Sequence, residues 1–333
     1  MKLLMISTDR KIFEDGSAVR TRQIEYARNW DEVHIIVFTN KTMNFSESGL
    51  SSNCFVYPTN SSVKIKYPFD AIHLGQFIIE KRGITNITCQ DPFLTAVAGV
   101  SLKKNNDVKL EIQLHTDIGS SNYAKSIGNR IRKALALSYL PKADSVRVVS
   151  NRIKDYLIGT LNIEQSKITM RPVTVDIECI RNAPIIETAD LHKKYPQFNK
   201  IILMASRLEK EKNIDFAIRA FAKVIKKMPK TGLVIVGDGS ETSKILSTVS
   251  KLGIETSVIV EPWANKETLV SYYKTANVFL NTSFFEGYGM ALVEAKAAGC
   301  KIISTDVGVA KEVGAVIVGY NDTEVADAII RNI

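Results

Sequence analysis

Short apolar runs alternate with longer stretches of mixed apolar and polar residues along the whole chain. The runs are typical of strands buried on both faces, and the stretches between them have the spacing of amphipathic helices. In the first half the pattern predicts strands at 2–7, 33–38, 71–74, 87–90, 110–115 and 145–150, and helices at 17–30, 92–104, 122–140 and 151–159. In the second half it predicts strands at 201–206, 233–238, 257–262, 277–282, 301–306 and 315–319, and helices at 212–228, 240–252, 265–275, 289–298 and 322–331.

Two successive series of strands and helices predict two α/β domains, each with a parallel sheet covered on both sides. A length of 333 residues suits two such domains. We place them at 1–175 and 176–333, because the irregular segment 173–198 contains Pro184 and Pro196. Doubly wound sheets bind ligands beyond the carboxyl ends of their strands. We therefore expect two Rossmann-like domains facing each other across a cleft.

The composition narrows the class of protein. Hydrophobic residues make up 45%, a normal share for globular domains, and no apolar run has the length of a membrane span. The apolar start MKLLMIS is followed at once by charged residues, so we expect a first strand rather than a signal peptide. The cysteines show no CxxC spacing, which argues against a disulfide framework or a zinc site and favours a reducing, cytoplasmic location.

The net charge of +9 is unevenly distributed. Residues 1–175 hold 24 Lys and Arg against 16 Asp and Glu, whereas the rest of the chain is nearly balanced, with 20 against 19. The basic half is either a solubilising surface or a surface that attracts anionic lipid head groups or an anionic polymer. Basic residues do not alternate with aromatic ones and no nucleic-acid-binding motif appears, so we expect no nucleic acid partner.

Candidate ligand-binding residues follow the predicted strands of the second half. Arg207 and Lys212 come between a strand and a helix, where two cations beside free helix amides would suit a diphosphate, although acidic residues alternate with them as in a solvated loop. Gly237 lies in a turn that either approaches a ligand or only reverses the chain. Trp263 either stacks on a base or fills the core.

The segment SFFEGYGMALVEAKAAG at 283–299 contains two acids separated by glycines. Glu286 is in a loop, Gly287 and Gly289 leave room for a ligand, and Met290 opens a helix that carries Glu294. We expect the glycine break to let the two carboxylates converge on the mouth of one site. Carboxylates accept hydrogen bonds, which suits the hydroxyl groups of a sugar or a ribose.

The first half offers two candidates. Gly16 precedes a helix whose amino terminus is expected to face the cleft, and His115 follows a strand in a cleft-facing loop. A single histidine at a strand end is either structural or part of the site. The other histidines, His34, His73 and His192, form no ligand spacing with His115, so we expect no metal.

These segments together resemble the retaining, group 1 glycosyltransferases of the GT-B fold. The likeness is strongest over about 200–312, where SRLEKEKN, IVGDGS, FFEGYGMALVEAKAAG and TDVGVAKEV follow in the family's order, the third resembling its E-x7-E motif. The first half is similar only at Gly16, at His115 and around ADSVRVVSNRIKDYL, with MRPVTVDIE resembling the entry to the second domain.

The resemblance implies roles for the candidates. Arg207 and Lys212 would bind the donor diphosphate and stabilise the leaving group. Glu286 would hold hydroxyls of the transferred sugar with the amides of Gly287, Tyr288, Gly289 and Met290, and Glu294 would hold the ribose. Gly16 and Gly237 would approach the nucleotide sugar, and His115 would lie near the sugar and acceptor. The implied enzyme is a hexosyltransferase of glycan or cell-envelope polysaccharide synthesis that needs no cofactor beyond its nucleotide-sugar substrate.

Three points stay open at this stage. The family continues with helices past the last strand, one of which crosses back to the first domain, so the ending AIIRNI predicts a looser closure or a truncated sequence. A GT-B-like epimerase or phosphorylase and a non-catalytic nucleotide-sugar-binding protein are the alternative functions. The basic first half, including 122–140, predicts a lipid-linked or glycan acceptor and peripheral contact with the inner face of the membrane, unless 122–140 only covers the sheet.

Overall fold

The structure is a computed structural model that describes all 333 residues. The chain divides into two compact units, Met1–Arg171 and Pro172–Ile333. This division falls four residues before the boundary placed at 175 from the sequence. Each unit contains one sheet covered by helices, as expected for two doubly wound α/β domains.

The first unit is built on an eight-stranded sheet with the order β3-β4-β2-β1-β5-β6-β7-β8. All its neighbouring strands are parallel except β3 and β4. Its strands are β1 Lys2–Ser7, β2 Glu32–Val37, β3 Ser48–Ser51, β4 Cys54–Pro58, β5 Asn86–Cys89, β6 Lys109–Leu114, β7 Ser145–Val148 and β8 Ile168–Met170. Its helices are α1 Ala18–Ala27, α2 Tyr67–Arg82, α3 Leu94–Asn105, α4 Ile127–Tyr139 and α5 Asn151–Leu161.

The strand predicted at 71–74 is wrong, because these residues lie inside α2. Pro68 stands in the first turn of this helix, where its missing amide costs nothing, and Gly83 ends it with φ of 66°. Ala71 and Ile78 are buried at helical spacing, and this longer period overrides the local apolar run. The sequence pattern also missed the short strands β3, β4 and β8.

The second unit has a six-stranded parallel sheet with the order β11-β10-β9-β12-β13-β14. Its strands are β9 Lys200–Ala205, β10 Thr231–Val236, β11 Val258–Glu261, β12 Val278–Asn281, β13 Lys301–Thr305 and β14 Val316–Val318. Its helices are α6 Ile177–Asn182, α7 Leu191–Lys194, α8 Ile214–Lys227, α9 Thr242–Lys251, α10 Lys266–Thr275, α11 Met290–Ala297 and α12 Asp322–Asn332. The strands and larger helices predicted for this half are confirmed within one to two residues at most ends.

Both faces of the second sheet are covered, which explains the uninterrupted apolar sequence of its strands. One hydrophobic core packs α8, α9 and α12 on the sheet, and the other packs α10 and α11 on the opposite face. Because both faces are occupied by core, polar ligand-binding groups are confined to the loops at the strand ends. None of the helices combines the length and the hydropathy that a membrane span requires.

Candidate active site

The strand order of the second sheet defines where a ligand would bind. β9 lies between β10 and β12, and the chain leaves these strands toward opposite edges of the sheet. Such a reversal opens a crevice between the loops that follow the two central strands. Here these are the loop 206–213 after β9 and the loop 282–289 after β12.

An ion pair joins the two loops. Lys212 Nζ lies 2.6 Å from Glu286 Oε1, and the two side chains are only 15% and 17% exposed. Ser283 Oγ lies 2.7 Å from the same oxygen and 2.7 Å from Asn281 Oδ1, so its single proton is shared between these two acceptors. Both bonds to Glu286 therefore fall on Oε1, and Oε2 is left for another donor. The sequence indicated Lys212 and Glu286 separately but gave no sign that they pair.

Backbone groups fix the two loops to each other around this pair. Thr282 Oγ1 lies 3.1 and 3.2 Å from the carbonyl oxygens of Lys212 and Asn213, and its single proton is shared between them. The amide of Phe284 donates to the carbonyl of Glu211 at 2.7 Å. Thr282 is fully buried, so these bonds are shielded from water. The loops thus form one rigid edge.

Arg207 has a different environment from Lys212. Its Nη2 lies 3.1 Å from Glu211 Oε1, and its side chain is 69% exposed. An exposed pair of this kind is weak, so the guanidinium is free to exchange Glu211 for an anionic ligand. The sequence treated the two cations as equivalent, whereas only Lys212 is held in place by Glu286.

Two glycines allow close backbone approaches beneath the site. Gly237 has φ of 144°, and a Cβ there would lie 1.9 Å from the carbonyl oxygen of Ser206. Gly308 has φ of 49°, and a Cβ there would lie 2.2 Å from the carbonyl oxygen of Tyr288. The amide of Val309 also donates to that oxygen, at 2.9 Å. The loop after β13 therefore supports the loop 282–289, a contact that the sequence did not indicate.

The second acid of the motif lies in the second turn of α11. Tyr273 OH donates to Glu294 Oε2 at 3.2 Å, and burial raises the pKa of this carboxyl above its usual 4.5. Gly289 caps the helix and Met290 begins it. The two acids of the motif therefore differ: Glu286 is paired with a cation, and Glu294 is bonded to a phenol. Tyr273, on α10, had no signal in the sequence.

Three aromatic residues of the second unit have separate environments. Trp263, which follows β11, is 62% exposed, so the alternative in which it fills the core is wrong. The ring of Phe284 lies 5.4 Å from that of Tyr320, whose hydroxyl donates to the carbonyl of Ser283 at 2.9 Å. Tyr320 thus braces the loop that carries Glu286.

The first unit has its own strand reversal, between β1 and β5. Ser7 Oγ donates to Gln90 Oε1 at 2.6 Å across this point. Gly16 lies in the exposed loop after β1, directly before Ser17, whose side chain caps α1. His115 follows β6, and its Nε2 lies 2.9 Å from Gln113 Oε1. The side chain of His115 reaches solvent. Even so, the surrounding protein partly desolvates the ring, and this lowers its pKa below 6.5. The positive charge of Arg147 lowers the pKa further.

Both units match known families of glycosyltransferases. Residues 24–178 match the family described as Glycosyltransferase Family 4, and residues 188–332 match Glycosyl transferases group 1. Together the matches cover most of the chain and include every candidate residue except Gly16. The chain is a group 1 glycosyltransferase.

Solved structures place this glycosyltransferase in the GT-B fold. Sucrose-phosphate synthase from Thermosynechococcus elongatus matches with a TM-score of 0.79 and 20% identity, over 99% of this chain and 89% of that one. Anabaena HepE in complex with UDP and glucose matches with a TM-score of 0.71 and 17% identity, again over 99% and 89%. The predicted fold class is confirmed.

Among curated sequences, the glycosyltransferase is similar to alpha-monoglucosyldiacylglycerol synthase from Streptococcus pneumoniae. The two are 24% identical over 299 residues, which is 87% of this chain and 67% of the relative. The chain spans about two thirds of that relative's length, and 60% and 26% of two further curated relatives.

Proposed function

We propose that this protein transfers a hexose from a nucleotide-diphosphate sugar to a hydroxyl acceptor, with retention of the anomeric configuration and without a metal. The observation that carries the proposal is the Lys212–Glu286 pair at the strand reversal of the second sheet. It places a cation suited to a diphosphate next to a carboxylate suited to sugar hydroxyls. The exposed Arg207 lies in the same loop as Lys212 and offers a second cation for the diphosphate.

The cations would stabilise the leaving group. Departure of the sugar leaves negative charge on the diphosphate, and preorganised positive charge lowers the barrier most where that charge develops. Lys212, held by Glu286, provides a fixed ammonium group. Arg207 exchanges its exposed bond to Glu211 for a phosphate oxygen. In this scheme two side chains supply the charge that a bound metal supplies in other transferases.

The acids and amides would orient the donor. Glu286 Oε1 is already occupied by Lys212 and Ser283, so Oε2 accepts from hydroxyls of the transferred sugar. The amides at 287–290 lie at the amino end of α11, where they favour negative charge. Glu294 accepts from the ribose hydroxyls in its ionised form, although burial raises its pKa and so favours the protonated form.

Retention and the donor class draw on the relatives. The S. pneumoniae relative is named for an alpha-glucosyl product, and the Anabaena structure contains UDP and glucose. Transfer from an α-linked nucleotide sugar to an α-linked product retains configuration. For the first unit we propose that Gly16 approaches the donor phosphates and that His115 contacts the sugar or acceptor hydroxyls.

The first experiment is nucleotide binding followed by thermal shift. UDP, GDP, ADP and their glucose conjugates are tested against the wild type, Glu294→Ala and the control Glu255→Ala, an exposed acid outside the site. We expect one diphosphate nucleotide to raise the melting temperature of the wild type and control, and to raise that of Glu294→Ala much less. If none of the nucleotides shifts the wild type, or if Glu294→Ala responds fully, the proposed donor site is wrong.

The transfer step is tested separately with the nucleotide sugar that binds. Release of the nucleoside diphosphate should require a hydroxyl acceptor, should persist in EDTA and should be lost in Lys212→Met. The anomeric form of the product, read from its proton coupling, decides retention. An inverted product or a requirement for added metal would overturn that part of the proposal.

We further propose that the first unit contacts an anionic membrane through exposed apolar residues at the amino ends of two helices, α2 and α4. Since α2, α3 and α4 each follow a parallel strand, each begins at the carboxyl edge of the first sheet. α3 contacts both of the others. Near these starts Ile65 and Ile127 are each 76% exposed, Phe69 is 60% exposed and Ile131 is 58% exposed. We call these four residues the apolar rim.

Positive charge surrounds the rim. Lys64, Lys66, Arg130 and Arg132 are all exposed next to it. Isolated exposed apolar residues are ordinary, but large ones interleaved with cations are typical of interfacial segments. α4 both packs on α3, as a covering helix does, and presents Ile127 and Ile131 outward. A lipid acceptor, as in the name of the S. pneumoniae relative, would be reached at such a surface.

A further inference from the structure

A row of polar side chains runs along one face of the first sheet and ends at His115. Thr88 on β5 and Glu111 on β6 are direct partners in the strand register. Thr88 Oγ1 donates to Glu111 Oε1 at 3.0 Å, and Gln113 Nε2 donates to Thr88 Oγ1 at 3.0 Å. Gln113 Oε1 then lies 2.9 Å from His115 Nε2. We call these four residues the His115 chain.

The direction of every bond in the His115 chain follows from its first member. An ionised carboxylate only accepts hydrogen bonds, so Thr88 must direct its hydroxyl proton to Glu111. The lone pair of Thr88 then accepts from the amide nitrogen of Gln113, which fixes the orientation of that amide. The amide oxygen therefore faces His115, and His115 Nε2 must carry a proton to complete the bond.

Burial makes the arrangement hard to reverse. Thr88 is 2% exposed and Gln113 is 6% exposed, so water cannot replace their partners. Turning the Gln113 amide would set its oxygen against the lone pair of Thr88 Oγ1, whose proton already goes to Glu111, and would leave that buried pair without a hydrogen bond. Arg147 is the register partner of Gln113 on β7, which adds positive charge on the side away from β5.

We propose that Glu111, Thr88 and Gln113 are positioning residues that hold His115 as the neutral tautomer protonated on Nε2. The lone pair then lies on Nδ1, so His115 presents an acceptor rather than a donor. The lowered pKa of His115 keeps the ring neutral at neutral pH. We expect Nδ1 to accept from a hydroxyl of the sugar or acceptor, and this expectation rests on the proposed function. The tautomer itself does not depend on it.

The test is the tautomer of His115 in the full chain, read from the two ring ¹⁵N shifts without ligand. The His115 signals are assigned by their loss in His115→Gln. We expect the protonated-Nε2 form to dominate in the wild type. Thr88→Val removes the acceptor for Gln113, and Gln113→Leu removes the acceptor for His115, so both should give a mixture of tautomers. Thr39→Val, which removes an equally buried hydroxyl bonded elsewhere in the same unit, should change nothing.

A further variant keeps the test decisive if the first two do not fold. Gln113→Glu still accepts from His115 Nε2, so the tautomer should persist while the pKa of His115 rises by at least about one unit. The charged groups on the surrounding elements are then the carboxylate introduced by this substitution, Glu111 on the same strand, Arg147 on β7 and Asp117 in the loop that follows, and of the native three Arg147 is the one whose charge lowers the pKa of His115. If the wild type carries its proton on Nδ1, or if neither Gln113 substitution changes the shifts or the pKa, the proposal is wrong.

The two proposals fail separately. A protein with the Nε2-protonated tautomer that binds no nucleotide refutes the proposed function and leaves the His115 chain intact. A protein that binds the nucleotide sugar and transfers the sugar, but whose His115 carries its proton on Nδ1, refutes only the role given to the His115 chain.

Discussion

Lys212 Nζ and Glu286 Oε1 lie 2.6 Å apart and connect the loops after β9 and β12, which are neighbours in the sheet. Both side chains are mostly buried, so each charge depends on the other for its solvation. The contact therefore has two functions in our proposal. It holds the loops in place before any ligand arrives, and it fixes the ammonium group that would face the diphosphate.

The strength of this pair is the first prediction. A double-mutant cycle with Lys212→Met and Glu286→Met should give a coupling free energy of about 1.5–3 kcal/mol, measured by urea unfolding. The same cycle on Lys227 and Asp327, whose side chains are 66% and 46% exposed, should give about 0.5 kcal/mol or less. Equal coupling in the two cycles would contradict the role given to burial.

The second prediction concerns Glu294 and pH. Burial raises its pKa above 4.5, and our proposal has the ionised form accepting from the ribose. Nucleotide affinity should therefore be full at high pH and fall as the pH drops through the raised pKa. In Glu294→Gln the affinity should be about tenfold lower and this part of the pH dependence should vanish, as calorimetry between about pH 5 and pH 8 would show. A variant with the wild-type pH profile would exclude the role.

The third prediction concerns the support beneath the site. Gly308→Ala places a Cβ against the carbonyl oxygen of Tyr288 and should lower the free energy of unfolding. Gly253→Ala is the matched control, because Gly253 also has positive φ, 64°, but has open space around it. Gly308→Ala should be less stable than the control by at least about 1 kcal/mol and should bind nucleotide more weakly. Equal stability of the two variants would argue against the close approach.

The fourth prediction is a loss of stability on acidification caused by His34. This residue is fully buried between Glu32 and Tyr57, and burial lowers its pKa below 6.5. In the unfolded chain the imidazole of His34 binds a proton at about pH 6.5, whereas in the folded chain it stays neutral to lower pH. The free energy of unfolding therefore falls as the pH drops below about 6.5. The slope attributable to His34 is at most about 1.4 kcal/mol per pH unit. Denaturation of the wild type and His34→Gln at about pH 5 to pH 8 should show a steeper fall for the wild type, and parallel curves would contradict this account.

The fifth prediction concerns the apolar rim. The double variant Ile127→Ser and Ile131→Ser should bind vesicles of anionic phospholipid several-fold more weakly than the wild type, since it loses exposed apolar area without losing charge. The double variant Leu246→Ser and Leu252→Ser, at exposed positions of the second unit, should bind as the wild type does. Co-sedimentation at low and high salt measures both. A wild type that stays in solution at low salt would end the membrane proposal.

The sequence predicted most of this fold because the strands of both sheets are buried and apolar. The error at 71–74 arose because four residues of mixed polarity fit the period of a strand as well as that of a helix. Only the full length of α2 shows the helical period. Arg207, Lys212 and Glu286 could be found because residues after parallel strands gather at one edge. Tyr273 and Gly308 could not, because their roles depend on contacts with Glu294 and Tyr288 that no local pattern records.

The contact between Lys212 and Glu286 also bears on when this protein becomes able to bind. The two residues are 74 positions apart, and β10, β11, β12 and three helices intervene. Closing so long a loop costs chain entropy before the contact stabilises the fold, so we expect this pair to form late in folding. A nucleotide added to refolding protein should therefore recognise only chains whose second sheet is complete. During refolding, nucleotide binding should then be regained more slowly than the helical circular dichroism signal. Its rate would report the completion of the second sheet.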